Sequence, residues 1–167
     1  MPATVSVKQS VGAGPTNTTI TNLRHNTDDT VNPGVVNPLV RPTVGSNYGY
    51  WKTVFLNADT TPDGTIDNVR FFCDGTIGWT GVELFAGTDS AYTQATGTPG
   101  VTGNVSAVAT TNITSYTSLA PLAVPGSITN PSTGKISDYV VLQAKVGVTA
   151  VAGTLPFETL TMRYDET

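Results

Sequence analysis

The chain has 167 residues, a net charge of -4 and a pI of about 4.6. Only 12% of its residues are charged, and the eight basic ones are scattered singly. Neutralising a phosphate backbone takes clustered Lys and Arg, so nucleic acid is excluded as a partner, and no apolar run approaches the roughly 18 residues of a membrane-spanning helix, so no membrane is expected either.

Thr is the outstanding residue, at 30 copies. Thr and Val are stiff at χ1 and fit a pleated, half-buried surface. The 17 Gly and 11 Pro punctuate turns. Together these point to an all-β chain. The start, "MPATVSVKQSVGAG", lacks a basic segment followed by an apolar core, so no secretory leader is expected.

Residues 4–9 alternate, with Val5 and Val7 on one face, and 17–23 form a weaker second strand. Residues 24–49 hold three Pro among Asn and Gly. Pro lacks a ladder donor and forces the residue before it to be extended. Residues 1–49 therefore read as an extended N-terminal arm with a short edge strand near Val35–Val40. Ordered stretches of this kind commonly serve as contact segments. The expected contact residues are Asn32, Pro33, Val35, Val36, Pro38, Leu39 and Arg41.

The body, residues 50–167, opens with "YWKTVFLNA", apolar on both alternating faces. An acidic turn leads to a strand over 65–73, with Val69, Phe71 and Cys73 on one face. Another covers 78–88, with Val82, Leu84 and Ala86 inward and Glu83 outward. Residues 89–135 are softer, with a surface loop and two short strands expected. "KISDYVVLQAKVGV" puts Val140, Leu142, Ala144 and Val146 on one face, and "ETLTMRYDE" turns Leu160, Met162 and Tyr164 to the core. Joined by a short connection, these last two strands are expected to pair antiparallel. Roughly eight to ten short strands with Gly/Pro turns make an antiparallel β-sandwich, with jelly-roll and Ig-like topologies both open.

Asp59, Asp63, Asp67 and Asp74 make "NADTTPDGTIDNVRFFCDG" the densest run of carboxylates. An EF-hand loop closes on a bidentate Glu, but counting from Asp59 that place falls on Arg70. "TPDG", with Pro second and Gly last, suits a type I β-turn. A looser calcium site formed by Asp59, Asp63 and Asp67 stays as a minor alternative. Cys73 lies in an apolar strand and the one His, His25, in a polar loop, so no nucleophile–base pair is expected. Asp28 and Asp29 lie in a loop with no Cys or Glu near them in sequence and only His25 shortly before, so no metal role is expected, and Glu83 and Glu158 read as solvated positions. Tyr48, Tyr50, Trp51 and Trp79 suit packing better than a sugar-stacking platform. No zinc spacing, phosphate loop or nucleophile elbow is present. The expectation is a non-enzymatic chain without a cofactor.

"NADTTPDGTIDNVRFFCDGTIGWTGVELFAGT" and "DYVVLQAKVGVTAVAGTLPFETLTMRYDET" together resemble small Thr/Gly-rich β-sandwich proteins among the virion genes of tailed phages and related archaeal viruses. The resemblance implies a virion protein assembled in the host cytoplasm. It would be a capsid decoration (cement) protein, or else a minor head or tail component. The implied partners are the major capsid protein lattice and other copies of the chain, with a trimer favoured. Outside that class, the alternatives are a carbohydrate- or surface-binding module, or an adhesin domain.

Overall fold

The computed structural model describes residues 2–31 and 34–167. Its centre is β4 (Lys52–Ala58), all seven residues of which are buried. A strand of apolar and β-branched residues without strict polar alternation needs cover on both faces, and this one has it. β4 is flanked antiparallel by β1 (Val5–Val11) and β13 (Tyr139–Gly147). β2 (Thr16–Thr19) closes one edge; β6 (Val82–Asp89) and then β9 (Thr111–Asn112) complete the other. Short strands β3 (Ser46–Tyr48) and β12 (Gly134–Lys135) extend β13 and β4.

A smaller antiparallel sheet packs against one face of the first. Its middle strand is β5 (Thr65–Phe72), with β10 (Leu122–Ala123) and β11 (Ile128–Thr129) along one edge and β14 (Thr161–Glu166) along the other. Val54, Leu56, Leu84, Val140, Leu142 and Ala144 of the large sheet meet Ile66, Val69 and Phe71 of β5 in one core. Ile66 and Val69 are even and odd, yet both are fully buried. A bulge reconciles them: Asn68 adopts φ 52°, and the register against β14 shifts between Arg163 and Asp165. The fold is all-β with antiparallel, sandwich-like sheets.

The second face of the large sheet is covered by residues 89–110, which include β7 (Gly97–Thr98) and β8 (Thr102–Gly103). Buried Gln143 holds this cover. Its Nε2 donates to the carbonyls of Gly49 (2.9 Å) and Asn104 (2.7 Å), and its Oε1 accepts from Ser106 N (2.8 Å). Phe55, Tyr139 and Tyr92 stack edge-to-face alongside. The approach is close: a Cβ on Gly103 would lie 2.5 Å from the Gly49 carbonyl oxygen.

Three features differ from the reading of the sequence. Residues 1–49 are not an arm apart from a 50–167 body, because β1 pairs with β4 through six residues and buries Gln9 and Ser10. Val35–Val40 forms no strand; it is a turn and loop, with Asn37 at φ 47°. β13 and β14 do not pair. They lie in different sheets, because residues 148–160 cross from one to the other.

Candidate functional site

The small sheet covers only part of the large one, and a cleft of about 590 Å³ opens beside it. Its floor is apolar: Val7, Val54, Leu84 and Leu142 from the large sheet, Phe71 and Met162 from the small one. One wall is the segment from Ile20 to Asn26 with Val35, Val36, Pro38 and Leu39; the other is residues 153–158 with Leu160. Leu39 and Leu155 also line a smaller cavity of about 320 Å³ over Val82 and Val146, with Arg41 at its side.

Local hydrogen bonds position both walls. Ile20 N donates to Val7 O (2.9 Å), extending the β1–β2 pairing, and Tyr50 N donates to Asn26 O (2.9 Å). Thr27 then pins the next loop, its N donating to Asn37 O (2.8 Å) and its hydroxyl lying within reach of the Asn37 and Pro38 carbonyls. Arg24 Nη1 donates to Gly34 O at 3.0 Å. On the other wall, Trp79 Nε1 donates to Pro156 O (2.8 Å) and Glu158 Oε1 accepts from Gly78 N (2.6 Å). The Trp79 ring meets His25 edge-on, 6.2 Å between centroids.

Behind the first wall lies a buried ammonium. Lys52, 1% exposed, donates from Nζ to the carbonyls of Asp28 (2.8 Å) and Thr30 (3.2 Å). Burial pulls its pKa down to about 8, while the nearby Asp29 and Asp28 carboxylates push the other way. His25 is pushed down to about 3, by burial first and by the Lys52 charge second, so its imidazole is neutral at physiological pH. His25 Nδ1 and Asn26 Oδ1 are buried without a hydrogen-bond partner. Asp28 accepts from Asn37 Nδ2 (2.9 Å), and Asp29 from Gly12 N (2.8 Å) and Gln94 Nε2 (3.0 Å).

The structure distributes the residues singled out from the sequence. Val35, Val36, Pro38 and Leu39 come together at the cleft, and Arg41 sits at the smaller cavity, where its Nη1 reaches Ala150 O at 3.4 Å. Asn32 and Pro33 lie outside the described residues. Asp59 ends its turn in an ion pair with Lys8 (3.5 Å) and accepts from Asn57 Nδ2 (2.7 Å). Asp63 is in the exposed turn, its N–H donating to Glu166 Oε1 (3.0 Å), whereas Asp67 stands in β5 across from Asp165. Among the described residues, no three His, Cys, Asp or Glu side chains gather as a metal site. Cys73 is buried between the Ile113 carbonyl and Gly75 N–H, both at 3.3 Å from Sγ. Trp51 ties down a different loop from Trp79, donating to Thr93 O at 3.1 Å.

The cleft's polar wall was hidden in the sequence. His25, Asn26 and Lys52 are separated by a loop and carry no motif; the one signal was a lysine inside an otherwise apolar strand. No family model, curated protein or solved structure matches this chain.

Proposed function

We propose that this chain is a non-enzymatic virion structural protein, a capsid decoration (cement) protein that binds the major capsid lattice as a homo-oligomer, with a trimer favoured. The observation that carries this reading is the apolar rim of the cleft. Val35 is 90% exposed, Val36 61% and Phe157 84%, although the chain has a complete core beneath them. Apolar side chains grouped at one site on a folded surface mark a contact with another macromolecule. The rim stands on a loop fastened by Thr27 and Arg24, so little order is lost on docking. Many weak copies on a repeating lattice then bind tightly through multivalency.

A carbohydrate-binding reading gains nothing from the aromatics, since Trp51 and Trp79 are each tied to a different loop. A minor head or tail component would use the same rim at lower copy number.

Removing the N-terminal segment is no test, because β1 would leave the central sheet with it. Val35→Ser with Val36→Ser is the sharper variant. High-copy copurification of the wild-type chain with assembled virions, lost in the double variant while the free protein keeps its melting temperature, is the expected result. Absence of the wild-type chain from purified virions overturns the reading. A copy number far below the capsomer count moves it to the minor components.

A further inference from the structure

The small sheet stops at β14, and the cleft begins there. Leu160 and Met162 line it, and no strand pairs with the outer edge of β14 among the described residues. The direction of the backbone along that edge follows from its neighbours. Thr65 and Thr167 exchange both main-chain hydrogen bonds, at 2.8 and 2.9 Å. Past the bulge, Val69 O accepts from Val124 N and Cys73 N donates to Tyr116 O, each at 3.0 Å. Val69, Phe71 and Cys73 therefore aim their backbone groups away from β14, and Arg70 and Phe72 aim theirs at it, opposite Arg163 and Thr161. These directions alternate along a strand. Thr161, Arg163 and Asp165 thus turn their N–H and C=O to β5, and Met162 and Tyr164 turn theirs outward. Among the described residues nothing bonds to those outward groups.

An unpaired edge is a template for another strand. The side chains of Met162 and Tyr164 pack toward the core, whereas Arg163 and Asp165 are exposed. A strand added antiparallel, about 4.8 Å away, would hang every second side chain over the apolar floor of Val7, Val54 and Leu142. Its other side chains would stand in water opposite Arg163 and Asp165, where like charges are destabilising and opposite ones favourable. The wall at residues 20–26 closes the far side of the cleft, which leaves room for one extended segment and not for the sheet edge of a second copy. We propose that the free edge of β14 takes up an extended segment of a partner polypeptide, apolar opposite Met162 and Tyr164, acidic opposite Arg163 and basic opposite Asp165. The proposal stands apart from the decoration reading: absence from virions would leave this edge unpaired, and failure of the edge to take a strand would leave the Val35–Val36 rim untouched.

Amide hydrogen exchange of the intact chain, with and without a model strand, tests it. The probe is an acetylated heptapeptide with valine at its third, fifth and seventh positions, lysine at the second, glutamate at the fourth and threonine elsewhere. In the free chain the Met162 and Tyr164 amides should exchange fast while those of Arg163 and Asp165 are protected. The peptide should slow Met162 and Tyr164 saturably, by about tenfold or more. Methylating the backbone nitrogens of its third and fifth residues, which face β14, should abolish that protection while keeping every side chain. Arg163→Glu, at an exposed position, should weaken the peptide by about two- to fivefold. No protection at about 1 mM peptide, an affinity of about -4 kcal/mol, overturns the proposal. So does equal protection by the methylated peptide, which would mean side-chain contact without strand pairing. Protection of both amides in the free chain that rises with protein concentration assigns the edge to a second copy and overturns it as well.

Discussion

The acidic turn at residues 57–67 and the His25–Thr30 loop are opposites in where they keep their polar groups. In the turn, Asp59 and Asp63 are exposed, and Asp59 meets Lys8 at the surface. In the loop, Asn26, Thr27 and the Lys52 ammonium are out of water, and each is held by specific carbonyls or hydroxyls. Exposed pairs gain little because water screens them and long side chains must be ordered. Buried polar groups are expensive to leave unmade. The density of charge in the sequence and the energetic weight of polar groups in the fold therefore fall in different places.

Acid should break this contrast most strongly. The unfolded chain takes up a proton on His25 near pH 6.5, whereas the folded chain resists until about pH 3. Between those values the unfolded state holds more protons, so stability is lost as pH falls through the window. The full shift corresponds to about 3–5 kcal/mol at pH 3. His25→Leu should remove that part of the acid sensitivity, measured as the difference between the two proteins in urea midpoints from pH 7 to pH 3. Parallel pH profiles would show that the imidazole is solvated.

Base should expose the second buried group. Folding lowers the Lys52 pKa from 10.5 to about 8. From pH 8 to pH 10 the unfolded state again holds more protons, and stability should rise by about 2 kcal/mol. Above pH 10 the curve turns over, because burial raises Tyr92 and Tyr50 and the unfolded chain loses those protons first. Lys52→Met should flatten the rise. It should also cost about 1–3 kcal/mol at pH 7, since the Asp28 and Thr30 carbonyls lose the Nζ donor.

Thr27→Val is a smaller perturbation of the same loop. It keeps the shape of a fully buried side chain and deletes only the hydroxyl that faces the Asn37 and Pro38 carbonyls. A loss of about 1 kcal/mol is expected in chemical denaturation. Because this bond fixes the loop carrying Val35 and Val36, amide exchange at residues 34–39 should accelerate more than exchange in β4 or β13. Uniform acceleration would place Thr27 in global rather than local stability.

Strands with one strong pattern were legible in the sequence. β4 lacks polar alternation and is buried on both faces; β13 alternates between a core face of Val140, Leu142 and Ala144 and a Gln143 face sealed by another loop. β1 was read as a strand but assigned to an arm, because its partner β4 is distant in sequence and alternation says nothing about who pairs with whom. The same limit joined β13 to β14 wrongly: chain adjacency favours pairing, yet the core needs Met162 opposite the large sheet rather than beside it. At the site, Val35, Val36, Pro38 and Leu39 were legible as apolar residues in a segment unable to form its own core. His25 and Asn26 were not, since burial of a polar loop depends on what folds over it. Residues 153–158 gave no signal beyond Pro156 and Phe157 in a connection.

The smallest effect belongs to the acidic turn, and it tests the contrast from the other side. Asp59→Asn removes the ion pair with Lys8 but keeps an acceptor for Asn57 Nδ2. With both partners part-exposed, the cost should be about 0.5 kcal/mol or less and should shrink further in 1 M salt. Asp63 and Asp67 are placed on the turn and on β5, and Asp67 stands across from Asp165. Calcium would therefore have to draw residues of a turn and a paired strand together, at the expense of the β5–β14 register. Millimolar calcium and EDTA should each leave the melting temperature within about 1 °C, since a ligand stabilises only in proportion to its preference for the folded state. A rise of several degrees in calcium, abolished by Asp63→Asn, would show that this turn rearranges around a cation and that its carboxylates carry more weight than their exposure implies.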